Sequence, residues 1–382
     1  MAKAVPKSAT ILDVAARAGV SKSAASLALR GTGYVSEAKR TAVLAAAAEL
    51  GYRPNAAARA MGSARSGTVG VILDDLRNPW FVPAIEGLSE GLHAGSLRPL
   101  LGDWRLEGAA LAERFLELRV EGLVLVGTLD GAESALPSLA SVPVVQVGAA
   151  RAQVRGAAVV TNDDAEGARH VVRHLAALGH RRIAHLAAPG TGVGDARRAG
   201  FEEECARLGV DFETVEAGLT EDAGRRAALA LLRPGAEDRS RPGSPGGPGS
   251  PARPTALFAV NDMAALGALS AADELGLRVP EDLSLAGYDD TPAARLRAVG
   301  LTSVDNASRE AGRVAAGLLA ERISDPGSRA TPHRNTPEKQ RLSGVLRCGV
   351  EGWSGDAGGE PPAVVLLPPE LKARSSTAPP PA

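Results

Sequence analysis

The reactive side chains of this 382-residue chain do not assemble into a catalytic set. Gly190-Thr191-Gly192-Val193-Gly194 follows a strand-like run, as a dinucleotide loop would. Its spacing is not Gly-x-Gly-x-x-Gly, and no acidic residue stands at the fitting distance on a second strand. His170 and His174 stand four apart with no Glu between them, so they read as helix surface. Cys205 and Cys348 are isolated, without metal spacing or a disulfide framework, which suits a reducing cytoplasm. No nucleophile, base and orienting group come together. Neither an enzyme nor a cofactor is expected. The chemistry that remains is charge. Residues 1–66 carry ten Lys/Arg against Asp13, Glu37 and Glu49, a balance of +7, while the remainder carries −8. A basic head on an acidic body is a footprint for a polyanion, nucleic acid or membrane.

The elements that would present this charge follow from spacing. Thr10-Ile11-Leu12-Asp13 is a capping-box pattern, and Ile11, Val14, Ala15 and Ala18 then trace one helix face. Gly19-Val20 breaks that helix, and Ser21 caps a second running to about Leu29. Ser36 caps a third, with Val43, Leu44, Ala47 and Leu50 on one face and Gly51 as its stop. Two helices joined by a Gly-containing turn predict a helix-turn-helix. Pro54 to Gly62 is a helix of barely two turns, too short to be stable alone. From Thr68 onward, β-branched runs alternate with helical stretches: Val69–Leu73, Leu123–Val126, Val144–Val147, Ala157–Thr161, Arg182–Leu186, Ala256–Val260 and Leu283–Gly287. Helices such as Phe81–His93, Leu106–Arg119, Gly167–Leu178 and Met263–Leu275 lie between them. That alternation predicts parallel sheets covered on both faces, in two subdomains. Residues 233–254 and 324–362 are Pro/Gly-rich and polar, and read as disordered insertions. Val364–Leu367 is the last core piece, and Ser375 to Ala382 reads as a frayed tail. No apolar run reaches 18 residues, so no membrane span is expected. Met1 to Thr10 lacks the apolar stretch of a secretory signal.

The order of motifs resembles the lactose-repressor (LacI-type) family of bacterial transcription regulators. It is carried by Thr10-Ile11-Leu12-Asp13-Val14-Ala15, Ala18-Gly19-Val20-Ser21 and Glu49-Leu50-Gly51-Tyr52-Arg53-Pro54-Asn55 in the head. Asn78-Pro79-Trp80-Phe81, His174 to Ile183, Phe258-Ala259-Val260-Asn261-Asp262, Arg278 to Leu283 and Gly287-Tyr288-Asp289-Asp290 continue it through the body. The resemblance implies a multidomain chain: an all-α helix-turn-helix head (1–53), a hinge helix and linker (54–67), and an α/β core. That core would comprise two parallel-sheet subdomains similar to periplasmic sugar-binding proteins, 68–161 plus 306–323 and 162–304 plus 363–376. It further implies a cytoplasmic homodimer on a palindromic operator in double-stranded DNA, controlled by a small-molecule effector. Two-fold pairing fits the physics, since one recognition helix reads only a few base pairs.

Carried over residue by residue, DNA contact falls on Thr10, Ser21, Lys22, Ser23, Ala24, Ser26, Leu27 and Tyr34 in the head. It continues with Asn55, Ala58, Arg59 and Met61 in the hinge. Lys22 can reach the guanine O6/N7 edge or a phosphate, and Ala24 a thymine methyl. Leu27 stands where many family members have Arg. Met61 replaces the usual Leu wedge of the minor groove. Effector contact falls on Trp80, Phe81, Asp163, Arg197, Asn261 and Asp289, a kit for reading hydroxyls: Asp289 accepts, Arg197 donates a fork and Asn261 does both. Gly148 replaces an Asp common in the family, and Leu219 stands beyond Gly218 where an aromatic is common. The expected effector is a sugar, with a nucleobase or a phosphorylated sugar as alternatives. A solute-binding protein without a regulatory role is the competing class, and it leaves the basic head unexplained.

Overall fold

The computed structural model describes residues 9–31, 33–52, 66–129, 139, 141–148, 154, 156–233, 253–325 and 364–381. It divides into two units, Met1–Ser66 and Gly67–Ala382. In the first, α1 (Ile11–Ala18), α2 (Lys22–Arg30) and α3 (Glu37–Glu49) enclose a core of small apolar residues. Val14, Ala15, Ala25, Ala28, Val43, Ala46 and Ala47 form it. Thr10 and Asp13 close the capping box, and Gly19 and Gly31 end their helices in the left-handed conformation. Leu44 is a correction to the expected face of α3. It is 52% exposed and Ala46 is buried instead, because Val43, Ala46, Ala47 and Leu50 make one face at three- and four-residue steps and Leu44 is turned about 100° from Val43.

The second unit holds two six-stranded sheets, built from βα alternation. Its elements run β1 (Thr68–Leu73), α4 (Phe81–Ala94), β2 (Arg98–Asp103), α5 (Trp104–Glu107), α6 (Ala109–Glu117), β3 (Gly122–Val126), β4 (Val144–Val147), β5 (Ala158–Asn162) and α7 (Asp164–Ala177). They continue with β6 (Arg182–Ala187), α8 (Gly192–Leu208), β7 (Asp211–Glu216), α9 (Glu221–Leu232), β8 (Ala256–Ala259), α10 (Asp262–Glu274) and β9 (Ser284–Tyr288). Last come β10 (Thr302–Asp305), α11 (Ser308–Ser324), β11 (Val364–Leu367) and β12 (Glu370–Lys372). The strand orders are β11-β5-β4-β3-β1-β2 and β12-β10-β9-β8-β6-β7. Every ladder is parallel except β10 with β12. Apolar clusters cover both faces of each sheet, which is why the central strands read as unbroken Val/Leu/Ala runs.

The chain passes between the sheets three times: from β5 into α7, from β10 into α11, and from β11 into β12. The last crossing corrects the assignment of 363–376 to the second subdomain. Val364–Leu367 pair with β5 in the first sheet, and Glu370–Lys372 pair with β10 in the second. Pro368-Pro369 makes the step between them. The expected helix Leu106–Arg119 is also corrected. Gly108, at φ +54, breaks it into α5 and α6.

Residues 375–381 are not frayed. Ser376 is buried, and its backbone N–H and carbonyl bond Gly300 and Leu285. Its hydroxyl donates to Leu285 O at 2.6 Å. The Ala378 carbonyl lies 2.9 Å from His180 Nε2, and Thr377 Oγ1 lies 2.9 Å from His174 Nε2. His174 is therefore no simple surface histidine. Burial lowers its pKa. Among the described residues, no helix is long and apolar enough to cross a membrane.

Candidate DNA-reading helix and effector site

The head presents the N-terminal end of α2. Ser21 accepts the Ala24 N–H at 3.2 Å, which leaves Lys22 and Ser23 exposed on the first turn. Ala24 and Ser26 are half-buried along the same helix, and Thr10, capping α1, is exposed. Tyr34 is 99% exposed, an unusual position for a large ring and a ready contact for a partner. Leu27 packs against the loop after α2. A Cβ at Gly33 would sit 3.1 Å from its Cδ2, so the Leu at this position serves the fold of the turn. Asn55, Ala58, Arg59 and Met61 lie outside the described residues.

In the second unit the candidate effector residues gather at the carboxyl ends of the strands, where ligands of such sheets bind. Asp289 follows β9, Asn261 follows β8, and Arg197 projects from α8, which Thr191 caps. Arg197 is buried, and each nitrogen of its guanidinium donates one bond. Nε donates to Asp164 Oδ1 at 2.8 Å, Nη1 to the Val260 carbonyl at 2.7 Å, and Nη2 to Asp289 Oδ1 at 3.3 Å. Its Cζ lies 3.7 Å above the centre of the Tyr288 ring. Asn306 Nδ2 also donates to Asp289 Oδ1, at 3.0 Å. Asn162 Nδ2 donates to the Tyr288 hydroxyl at 2.7 Å. Asn162 and Asn306 both lie at crossings between the sheets, so the cluster is tied to the chain segments that join the two subdomains.

Three expected residues have other employment. Asp163 is half-buried and caps α7, accepting the Glu166 N–H at 2.9 Å. Its neighbour Asp164 is the carboxylate that meets Arg197. Asn261 caps α10 through Oδ1 and donates from Nδ2 to the Leu219 carbonyl at 3.0 Å. Phe81 is a core residue of the first subdomain. Trp80 meets Phe81 edge-on at 5.2 Å and lies over Gly148. Asn162, Asp164, Tyr288 and Asn306 were missed from sequence. The only signal was the run of polar residues where a strand hands over to a helix.

Burial pushes the Asp289 carboxyl up to about 8, with Arg197 opposing the rise. Burial works against the Arg197 charge too, but Asp164 and Asp289 more than offset it and its pKa is raised. Burial likewise lifts Asp262 to about 6, against hydrogen bonds from Ser303 and Thr291. The folded chain thus holds a proton on Asp289 between roughly pH 4 and 8 that the unfolded chain has lost. The corresponding stability is present below the unfolded value and disappears as the pH rises through 8. Relative to Asp289→Asn, the wild type should therefore lose a few kcal/mol as the pH is raised across that range. Thermal unfolding of both proteins from pH 4 to 8.5 measures this, and a constant difference would contradict it. Among the described residues, no group of three or more His, Cys, Asp or Glu side chains could hold a metal ion.

Residues 10–55 match the family described as bacterial regulatory proteins, lacI family, and residues 172–343 match the periplasmic binding protein-like domain. The chain is 31% identical over 327 residues to the HTH-type transcriptional repressor PurR of Erwinia tasmaniensis, covering 83% of this chain and 91% of that protein. The chain belongs to the LacI family. This LacI-family chain is also 27% identical over 381 residues to the HTH-type transcriptional regulator DegA of Bacillus subtilis, covering 97% and 98% of the two chains. Among solved structures, the lac repressor dimer bound to operator and the anti-inducer ONPF aligns with a TM-score of 0.72 at 25% identity. That alignment covers 97% of this chain and all of the other. The transcriptional regulator CelR–cellobiose complex aligns with a TM-score of 0.62 at 26% identity, covering 96% and 99%. The chain is a DNA-binding transcription regulator with an effector-binding domain.

Proposed function

We propose that this regulator is a dimeric, cytoplasmic repressor of a palindromic operator, and that a sugar bound between its subdomains sets its affinity for DNA. The observation that carries the effector reading is a set of three unpartnered polar atoms near the strand ends. Trp80 Nε1, Thr161 Oγ1 and Asn306 Oδ1 are each buried and bonded to nothing among the described residues. A buried donor or acceptor left unsatisfied costs about 1–3 kcal/mol, so this arrangement suits a ligand that returns the bonds. Trp80 offers a donor, Asn306 an acceptor and Thr161 either, which matches an array of hydroxyls. Asp289 and Arg197 would complete the contact from the second subdomain, and Lys22, Ser23 and Ala24 would enter the major groove while Met61 opens the minor groove.

A nucleobase is the second reading, and one observation favours it. Gly148 brings no acceptor to the first subdomain, and the indole of Trp80 stands in that space. A flat ring with one N–H suits a planar heterocycle.

Selection of duplexes from a random pool with the whole chain tests the first part, with an enriched palindrome as the expected result. Titrating the selected complex with D-ribose, cellobiose, hypoxanthine and guanine then tests the second. A sugar should change operator affinity about 5- to 150-fold, the usual span of allosteric coupling. A response to the bases alone would replace the first reading with the second, and no enriched palindrome would overturn the operator claim.

A further inference from the structure

The turn that carries Asp289 is held from outside by the end of the chain. Asp289 and Asp290 both have positive φ, +104 and +46, a conformation that side chains with a Cβ rarely adopt in succession. Such a turn persists only when its surroundings fix it. The Asp289 N–H donates to the Val304 carbonyl at 2.8 Å. The Asp290 N–H donates to Ser303 Oγ at 3.0 Å, and the Thr291 N–H donates to Asp262 Oδ2 at 2.7 Å. The Asp290 carboxylate is buried between two arginines. Arg295 reaches Oδ2 at 3.0 Å but belongs to the same loop and is half exposed. Arg374 reaches Oδ1 at 2.6 Å from 84 residues further along the chain.

Arg374 is itself anchored. Its Nη1 donates to the Leu301 carbonyl at 2.7 Å, and its backbone N–H donates to Thr302 Oγ1 at 2.9 Å. Ser376, two residues on, bonds both Thr302 and Leu285. The space is closed as well: a Cβ at Gly300 would meet Ser375 Oγ at 2.0 Å.

We propose that Arg374 is a positioning residue for the effector-facing carboxylate of Asp289, acting through Asp290. It fixes the strained turn to the last strands of the second sheet, so that Asp289 Oδ1 meets Arg197 and Asn306 together. The segment after β12 is then part of the effector machinery and not a trailing end. The inference rests on the reading of Asp289 as an effector contact.

The test compares Arg374→Met and Arg374→Lys in the full chain, without ligand. Hydrogen exchange across the second sheet and its helices and the titration of the Asp289 carboxyl carbon are the two measurements. Arg374→Met should speed exchange at the amides of Asp289, Asp290 and Thr291 at least tenfold, leave β6 and β8 as in the wild type, and shift the Asp289 midpoint away from its wild-type value. Arg374→Lys, which keeps a cation beside Asp290, should restore most of both. Unchanged exchange and titration in Arg374→Met would overturn the proposal. So would faster exchange spread through the whole core, which would make Arg374 a general fold contact. Neither readout uses an effector, so a failed effector screen and a failed positioning role are told apart.

Discussion

Arg197→Met is expected to destabilise the core by about 3–5 kcal/mol, the usual cost of removing one partner from a buried ion cluster. Methionine keeps the apolar stem, so little of the loss comes from packing. What goes is the cation shared by Asp164 and Asp289, the donor to the Val260 carbonyl and the contact over Tyr288. Two buried carboxyl groups are then left without their common partner. Above about pH 8, where the Asp289 carboxyl is ionised, part of the loss should return in the double variant Arg197→Met/Asp289→Asn, because the amide carries no charge to be balanced. Residues in one network usually couple by 0.5–3 kcal/mol. Denaturant unfolding of the four proteins gives the cycle. The same variant should no longer answer effector in operator binding. A loss of stability below about 1 kcal/mol would show that the cluster does not carry the weight assigned to it.

Most strands legible in the sequence are buried on both faces. β1, β3, β4, β5, β6, β8 and β9 are rich in Val, Leu, Ile and Ala, and the edge strand β11 is legible from its unbroken Val364–Leu367 run. The ones that escape reading are marginal in a physical sense. β2 begins Arg98-Pro99 and β7 carries Asp211, Glu213 and Glu216 among its six residues, because each is an edge strand with one side toward solvent. β10 is Thr-Ser-Val-Asp. Its Thr302 and Ser303 hydroxyls bond the C-terminal segment and Asp262, contacts that no local pattern announces.

The same reason explains the tail. Ser, Thr and Pro compose disordered ends as readily as ordered ones, and only the partners 70 to 200 residues away distinguish them. At the site, Arg197 and Asp289 stand inside recognisable motifs. The choice between Asp163 and Asp164 is made by helix capping: the first turns back to close α7, which leaves the second to face Arg197. Asn306 sits 17 residues after Asp289 on a different strand end, and only the parallel pairing of β9 with β10 joins them.

Gly148→Asp is expected to be the most disruptive change at the first subdomain's side of the site, and Trp80→Ala should relieve it. Gly148 has φ +71 and donates its N–H to the Val160 carbonyl at 2.9 Å, so the backbone has little freedom to move. A Cβ there would stand 2.5 Å from Trp80 Cη2 and 3.1 Å from Cζ2. The indole must leave its place against Phe81, at the roughly 1–3 kcal/mol typical of overpacking, and the left-handed backbone adds to that. Trp80→Ala opens the space, so the double variant should unfold later than Gly148→Asp alone. The exchange also inverts the chemistry of the subsite, from a ring N–H that donates to a carboxylate that accepts. Effectors that present an acceptor to Trp80 Nε1 should lose at least about tenfold in apparent affinity, and polyhydroxylated ones should gain, because a buried polar group without its match is penalised. Unfolding midpoints and operator release by the four probes above measure both effects. Should Gly148→Asp alone prove as stable as the wild type, the indole is not fixed over Gly148, and the pairing of these two residues does not decide what the regulator senses.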